Sequence, residues 1–135
     1  MVLEIERVDR FTLANPLGAD KGGLSVSIRG DDGVRYYGSH LSAITPGIDA
    51  GTRVSPGITI GLVGQTGNAS HVCHLHFGIS PVCQGTGDWW IRRGVVYPWH
   101  YLDAWKAGTN LYPTDEIAGW QAAHGCPATP PGNER

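Results

Sequence analysis

Nowhere in the 135 residues do apolar side chains run long enough to cross a bilayer. No stretch approaches the ~18 that a membrane span needs, and the opening M-V-L-E-I-E-R-V-D-R is too charged for a secretion signal. Positive charge is sparse too. The net charge is -2 and no cluster of lysine and arginine occurs, which argues against a nucleic-acid partner. Lysine occurs only at Lys21 and Lys106. The three cysteines, Cys73, Cys83 and Cys126, include no C-x-x-C pair, so a zinc ribbon is excluded and at most one disulfide is possible. In an exported protein Cys83 would pair with Cys73 or Cys126; the alternative is a free Cys73 buried in the core. No histidine precedes His40, and the others are His71, His74, His76, His100 and His124.

What is present suits one small β-rich domain. Hydrophobic residues make up 41% of the chain, and twenty Gly and nine Pro are interspersed among them, as expected for short strands joined by tight turns. Residues 2–13 are weakly strand-like, and 14–23 form a loop. Leu24, Val26 and Ile28 then alternate with Ser25, Ser27 and Arg29, Asp31-Asp32-Gly33 turns the chain, and Val34 to Tyr37 returns, which predicts an antiparallel hairpin delivering His40 to a strand end. Residues 42–50 read as a loop. A Gly-rich stretch from Gly51 to Gly67 follows, suited to tightly curved strands beside a groove.

In the next segment, T-G-N-A-S-H-V-C-H-L-H-F-G-I-S, a strand carrying both His74 and His76 would put the two imidazoles on one face. Cys73, Leu75, Phe77 and Ile79 would then point into a core. Two imidazoles on one face suit a metal or a proton-transfer site, whereas His71 reads as a solvated loop residue. Further on, Trp99 to Ala107 predicts a short helix stopped by Gly108, with Leu102 and Trp105 on one side. Thr114 would cap a second helix, with Asp115 and Glu116 at its positive end and Ile117 and Trp120 facing inward. The five tryptophans either lock this tail onto the sheet or, at Trp89 and Trp90, line a groove for glycan or peptide. His100 and His124 read as surface residues on these helices.

Three blocks occur in order: Tyr-x-x-His-Leu at Tyr37 to Leu41, G-x-x-V-x-x-G-x-x-I-G-x-x-G-x-T-G at Gly51 to Gly67, and His-Leu-His-Phe at His74 to Phe77. Together they resemble the lysostaphin-like (LytM-type) zinc endopeptidases that cut peptide bridges in bacterial cell walls. The resemblance implies a mostly β fold, an antiparallel sheet or open barrel of the duplicated hybrid type, with a short α-helical C-terminal appendage. It divides the chain into a peptidase core at 1–81, incomplete at its N-terminus, a Trp-rich loop with two short helices at 82–125, and a flexible tail at 126–135.

By the same resemblance His76 is a zinc ligand, and His40 and His74 handle protons and steady the transition state. The family's other two zinc ligands come from an upstream His-x-x-x-Asp motif that has no counterpart here. The chain is therefore expected either to be a truncated copy of an enzyme or to be a relative that lost its metal, and to hold zinc poorly on its own. Asp9, Asp20, Asp31 and Asp49 are the carboxylates weighed as substitutes. The implied partner is a peptidoglycan peptide, with no nucleic acid and no membrane span, acting as a monomer outside the cell or in its wall.

Two other classes compete. One is a non-catalytic module that binds cell wall or regulates a wall hydrolase. The other is a phosphotransferase-like domain relaying phosphoryl groups through His74 and His76. A biotinyl or lipoyl carrier, which shares the V-x-x-G-x-x-I-G pattern, needs a lysine in a hairpin turn, and neither Lys21 nor Lys106 occupies one.

Overall fold

A computed structural model describes residues 1–84 and 88–128. The loop expected at 85–87 and most of the tail expected at 126–135 lie outside the described residues. Among those described, five strands form one open antiparallel sheet: β1 (Val2–Glu6), β2 (Leu24–Arg29), β3 (Val34–Ile44), β4 (Gly61–Val63) and β5 (His76–Pro81).

The β2–β3 hairpin forms as its alternation predicts. Arg29 pairs with Arg35, the Gly33 φ of 81° turns the chain, and the Val34 N–H donates to Asp32 Oδ1 at 3.1 Å. β3 is longer than expected. It continues to Ile44, so the predicted loop at 42–50 begins later and His40 lies within the strand rather than at its end.

One edge of β3 pairs with β2. The other is shared, with β5 along Val34–Ser39 and β4 along Leu41–Ile44. Between Leu24/Leu41 and Val26/Gly38 the register shifts, because β3 spends one residue more than β2, and His40 takes the left-handed φ of 62°. This is a β-bulge at the seam where β3 passes from one neighbour to the other.

Val2, Val26, Leu41, Ile44 and Ile48 form one core cluster, with Ile5, Leu24 and Val54 packed on it. Val34 and Ile79 form a second with Tyr101 and Ile117. The segment before β5 departs from expectation. β5 begins only at His76; His74 is held by an isolated bridge to Gly64, and Cys73 and Leu75 are exposed instead of entering the core. The period-2 pattern therefore holds for Phe77 and Ile79 but not upstream, where no continuous ladder enforces the alternation.

Three helices follow among the described residues: α1 (Trp89–Arg92), which the sequence did not announce, α2 (Trp99–Lys106) and α3 (Thr114–His124). Gly108 (φ 79°) lies just beyond the end of α2, as expected, but α2 buries Tyr101 and leaves Leu102 exposed. Trp105 packs edge-on against Tyr36 and Phe77. Pro113 occupies the cap position of α3, so Thr114 is the first helical residue and makes no capping hydrogen bond; Ile117 is buried as predicted.

Cys83 and Cys126 form the disulfide and Cys73 is free. Arg35, 1% exposed, donates to Asp88 Oδ2 at 2.8 Å and to Ser80 Oγ at 3.0 Å, fixing the start of α1 to the sheet. Burial, followed by the Glu116 hydrogen bond, pushes the Tyr101 hydroxyl up to about 12, so it remains a donor between α2 and α3. No helix among the described residues is long and apolar enough to cross a membrane.

Candidate active site

Three imidazoles meet at the β3 seam. The His40 ring lies 4.7 Å from that of His74 and 6.1 Å from that of His76, centroid to centroid. His40 comes from the bulge, His74 from the bridge to Gly64, and His76 from the first residue of β5, which pairs with Ser39. The other three histidines stay apart: His71 is exposed in its loop, His100 lies tilted against the Tyr101 ring, and His124 stacks on Trp120.

Two loops fix His40, the one before β2 that ends in Gly22 and Gly23 and the Gly-rich one that carries Thr66. Its backbone N–H donates to Gly22 O at 2.8 Å, and its Nδ1–H donates to Thr66 O at 2.8 Å. Thr66 in turn donates its hydroxyl to Leu41 O and accepts the Leu24 N–H. Gly67 is required here. A Cβ at that position would collide with the Lys21 carbonyl, and its φ of 67° is one that side chains rarely adopt.

Because a carbonyl oxygen can only accept, each neutral tautomer follows from its partner. His40 carries its proton on Nδ1, and so does His74, whose Nδ1 contacts Val72 O at 2.8 Å, leaving both Nε2 lone pairs available. His76 is the reverse. Its Nε2–H donates to Arg93 O at 2.7 Å, leaving Nδ1 with the lone pair. Burial is the main cause that holds His40 below the usual imidazole range; the neighbouring His74, His76 and Arg93 charges act in the same direction against the opposing Thr66 hydrogen bond. At neutral pH it is an uncharged base.

Arg93 and Gly78 were not visible as site residues in the sequence. A Cβ on Gly78 would strike the Arg93 carbonyl, so only glycine lets the Arg92–Gly94 segment lie flush on β5 and hold His76. A glycine in the interior of a strand, between Phe77 and Ile79, was the available signal. Tyr37 backs the site, its ring edge-on to His76 at 6.2 Å.

A catalytic zinc needs three protein ligands and an open position. The donor set does not fit one: the described residues contain no group of three or more His, Cys, Asp or Glu able to hold a metal. The four aspartates named above already have other partners or surroundings. Asp9 accepts the Gly67 and Phe11 N–H groups, Asp31 pairs with Arg53, Asp49 pairs with Arg7, and Asp20 faces a separate cleft with Glu4 and Glu6.

The family model described as Peptidase family M23 matches residues 12–86, more than half of the chain and all three histidines of the seam. The chain belongs to this peptidase family. Among solved structures, it resembles the catalytic domain of the antimicrobial peptidase lysostaphin from Staphylococcus simulans. The match has 23% identity and a TM-score of 0.53 over 76% of this chain and 65% of that one. At that identity the likeness is one of fold, and the M23 chain spans just under two thirds of the lysostaphin domain. It also matches Csd3 from Helicobacter pylori, at 22% identity and a TM-score of 0.39, over 90% of this chain and 31% of that one. No curated protein sequence matches it.

Proposed function

We propose that the chain is part of a zinc-dependent endopeptidase-type domain acting on peptidoglycan peptides outside the cell or in its wall. His40 and His74 handle protons and the oxyanion, and His76 is the side chain offered to the metal. The observation that carries this reading is the convergence of three imidazoles, each with one ring nitrogen held by a backbone carbonyl. That arrangement leaves Nε2 of His40 and of His74 free to accept or return a proton, and Nδ1 of His76 free to ligate. His40, held uncharged by burial, is suited to accept a proton near neutral pH. The Cys83–Cys126 disulfide supports an oxidising location.

The metal part of the reading needs two ligands beyond the described residues, and that requirement favours a second reading. In it, the chain is a non-catalytic M23 module that binds wall peptides or regulates a wall hydrolase. One experiment separates the two: zinc stoichiometry of the purified chain by elemental analysis after dialysis, beside His76→Ala, with release of new amino termini from purified peptidoglycan scored in parallel. One zinc per chain, absent from the variant, together with cleavage establishes the endopeptidase. Absence of zinc with co-sedimentation on peptidoglycan establishes the module. Neither zinc nor co-sedimentation overturns both.

A further inference from the structure

The histidine cleft has a charge pattern that proton handling does not use. Lys21, Arg92 and Arg93 line it together with His40 and His76, and among the described residues no aspartate or glutamate does, although the chain carries a net charge of -2. Arg92 is already engaged. It donates to Glu4 Oε2 at 3.3 Å and to Ala19 O at 3.1 Å, and it lies over the Tyr37 ring at 5.7 Å. Arg93 and Lys21 make no ion pair among the described residues.

Arg93 is also anchored. Its carbonyl accepts the His76 Nε2–H, its segment lies flush on Gly78, and its guanidinium carbon sits 5.9 Å from the centre of the Trp89 ring. A guanidinium whose backbone is fixed and whose side chain rests on an indole loses less freedom on binding than a loose one. Its N–H fork matches a carboxylate in bidentate geometry.

We propose that Arg93, assisted by Lys21, forms a carboxylate-binding subsite of the histidine cleft, so that the ligand is a peptide presenting a carboxylate beside the segment held at His40 and His76. This rests on the cleft being a peptide site and adds the charge of the peptide it selects. Trp89 is the platform that orients the guanidinium.

The test titrates the whole chain, followed by NMR, with three probes at low salt: tetraglycine with a free C-terminus, its C-terminal amide, and an amidated tetrapeptide with one glutamate side chain. At least one carboxylate probe should bind about tenfold more tightly than tetraglycine amide, as expected for a partly exposed charge-assisted pair. Which of the two binds better identifies the source of the carboxylate. Arg93→Gln should erase the preference without moving the melting temperature. Arg93→Lys should restore only part of it, since an ammonium lacks the fork. Equal affinity for acid and amide, or a preference that survives Arg93→Gln, overturns the subsite and leaves the peptide reading intact. No binding of any probe by the unaltered chain overturns both.

Discussion

The sheet and the C-terminal appendage are held by different physics. The sheet is built from ladders between neighbouring strands and an apolar cluster drawn from β1, β2 and β3. The appendage has short helices and attaches through the apolar cluster that Tyr101 and Ile117 share with Val34 and Ile79, reinforced by long-range ties: the Cys83–Cys126 disulfide, the buried Arg35–Asp88 pair, and the contact of the Arg93 segment with Gly78. The candidate site lies on the border, with the imidazoles from the sheet and the arginines from the appendage. Loosening the appendage should therefore damage the cationic side of the cleft before the histidine side.

The largest effect should come from replacing both Cys83 and Cys126 by Ser. With the cysteines separated by 43 positions in sequence, chain-entropy arguments give a loss of about 4 kcal/mol, read by denaturant unfolding. Fluorescence of Trp90 and Trp120, which pack edge-on at 6.3 Å, should change before the far-ultraviolet signal of the sheet. Coincident transitions would mean that the two regions form one cooperative unit.

Asp88→Asn should come next, costing about 3 kcal/mol, because it leaves the buried Arg35 guanidinium without its carboxylate. Adding Arg35→Met should recover most of that loss, and failure to recover would assign the cost to the helix start rather than to the charge. Gly78→Ala should cost roughly 1–3 kcal/mol by pushing the Arg93 segment off β5. It should also release the His76 Nε2 proton from its carbonyl, visible as an upfield shift of that imidazole proton.

The smallest effect is a pH slope. Burial holds the His40 pKa below its ordinary 6.5, so the unfolded chain takes up the proton first as pH falls. Stability is then full above about 6.5 and declines from there down to the depressed folded value. His40→Asn should flatten that slope in pH-dependent melting. Asn tolerates the left-handed backbone better, and relief of that strain, about 1 kcal/mol, should offset part of the lost Thr66 hydrogen bond.

The parts of the molecule readable in advance were those set by neighbours in sequence. Alternation in Leu24–Arg29 and the Asp31-Asp32-Gly33 turn specified the hairpin, and Gly108 marked the end of α2, because strand pleat and positive φ are local constraints. The resemblance carried by the Tyr-x-x-His-Leu and His-Leu-His-Phe blocks singled out His40, His74 and His76, whose rings the structure brings together. Periodicity failed at Cys73 and Leu75, where the chain is held by a single bridge, and at Leu102, where the helix buries Tyr101 instead.

The sequence by itself determined the β-rich class, the M23 motifs and the residue types available for chemistry, since each depends on short spacings. Only the tertiary structure decided that His40 would sit in a bulge between two neighbouring strands, that Cys83 would pair with Cys126, and that Arg93, 17 residues from His76, would fix that imidazole's tautomer. Those outcomes depend on which distant backbone groups are left without partners after the strands pair, and no local spacing encodes that.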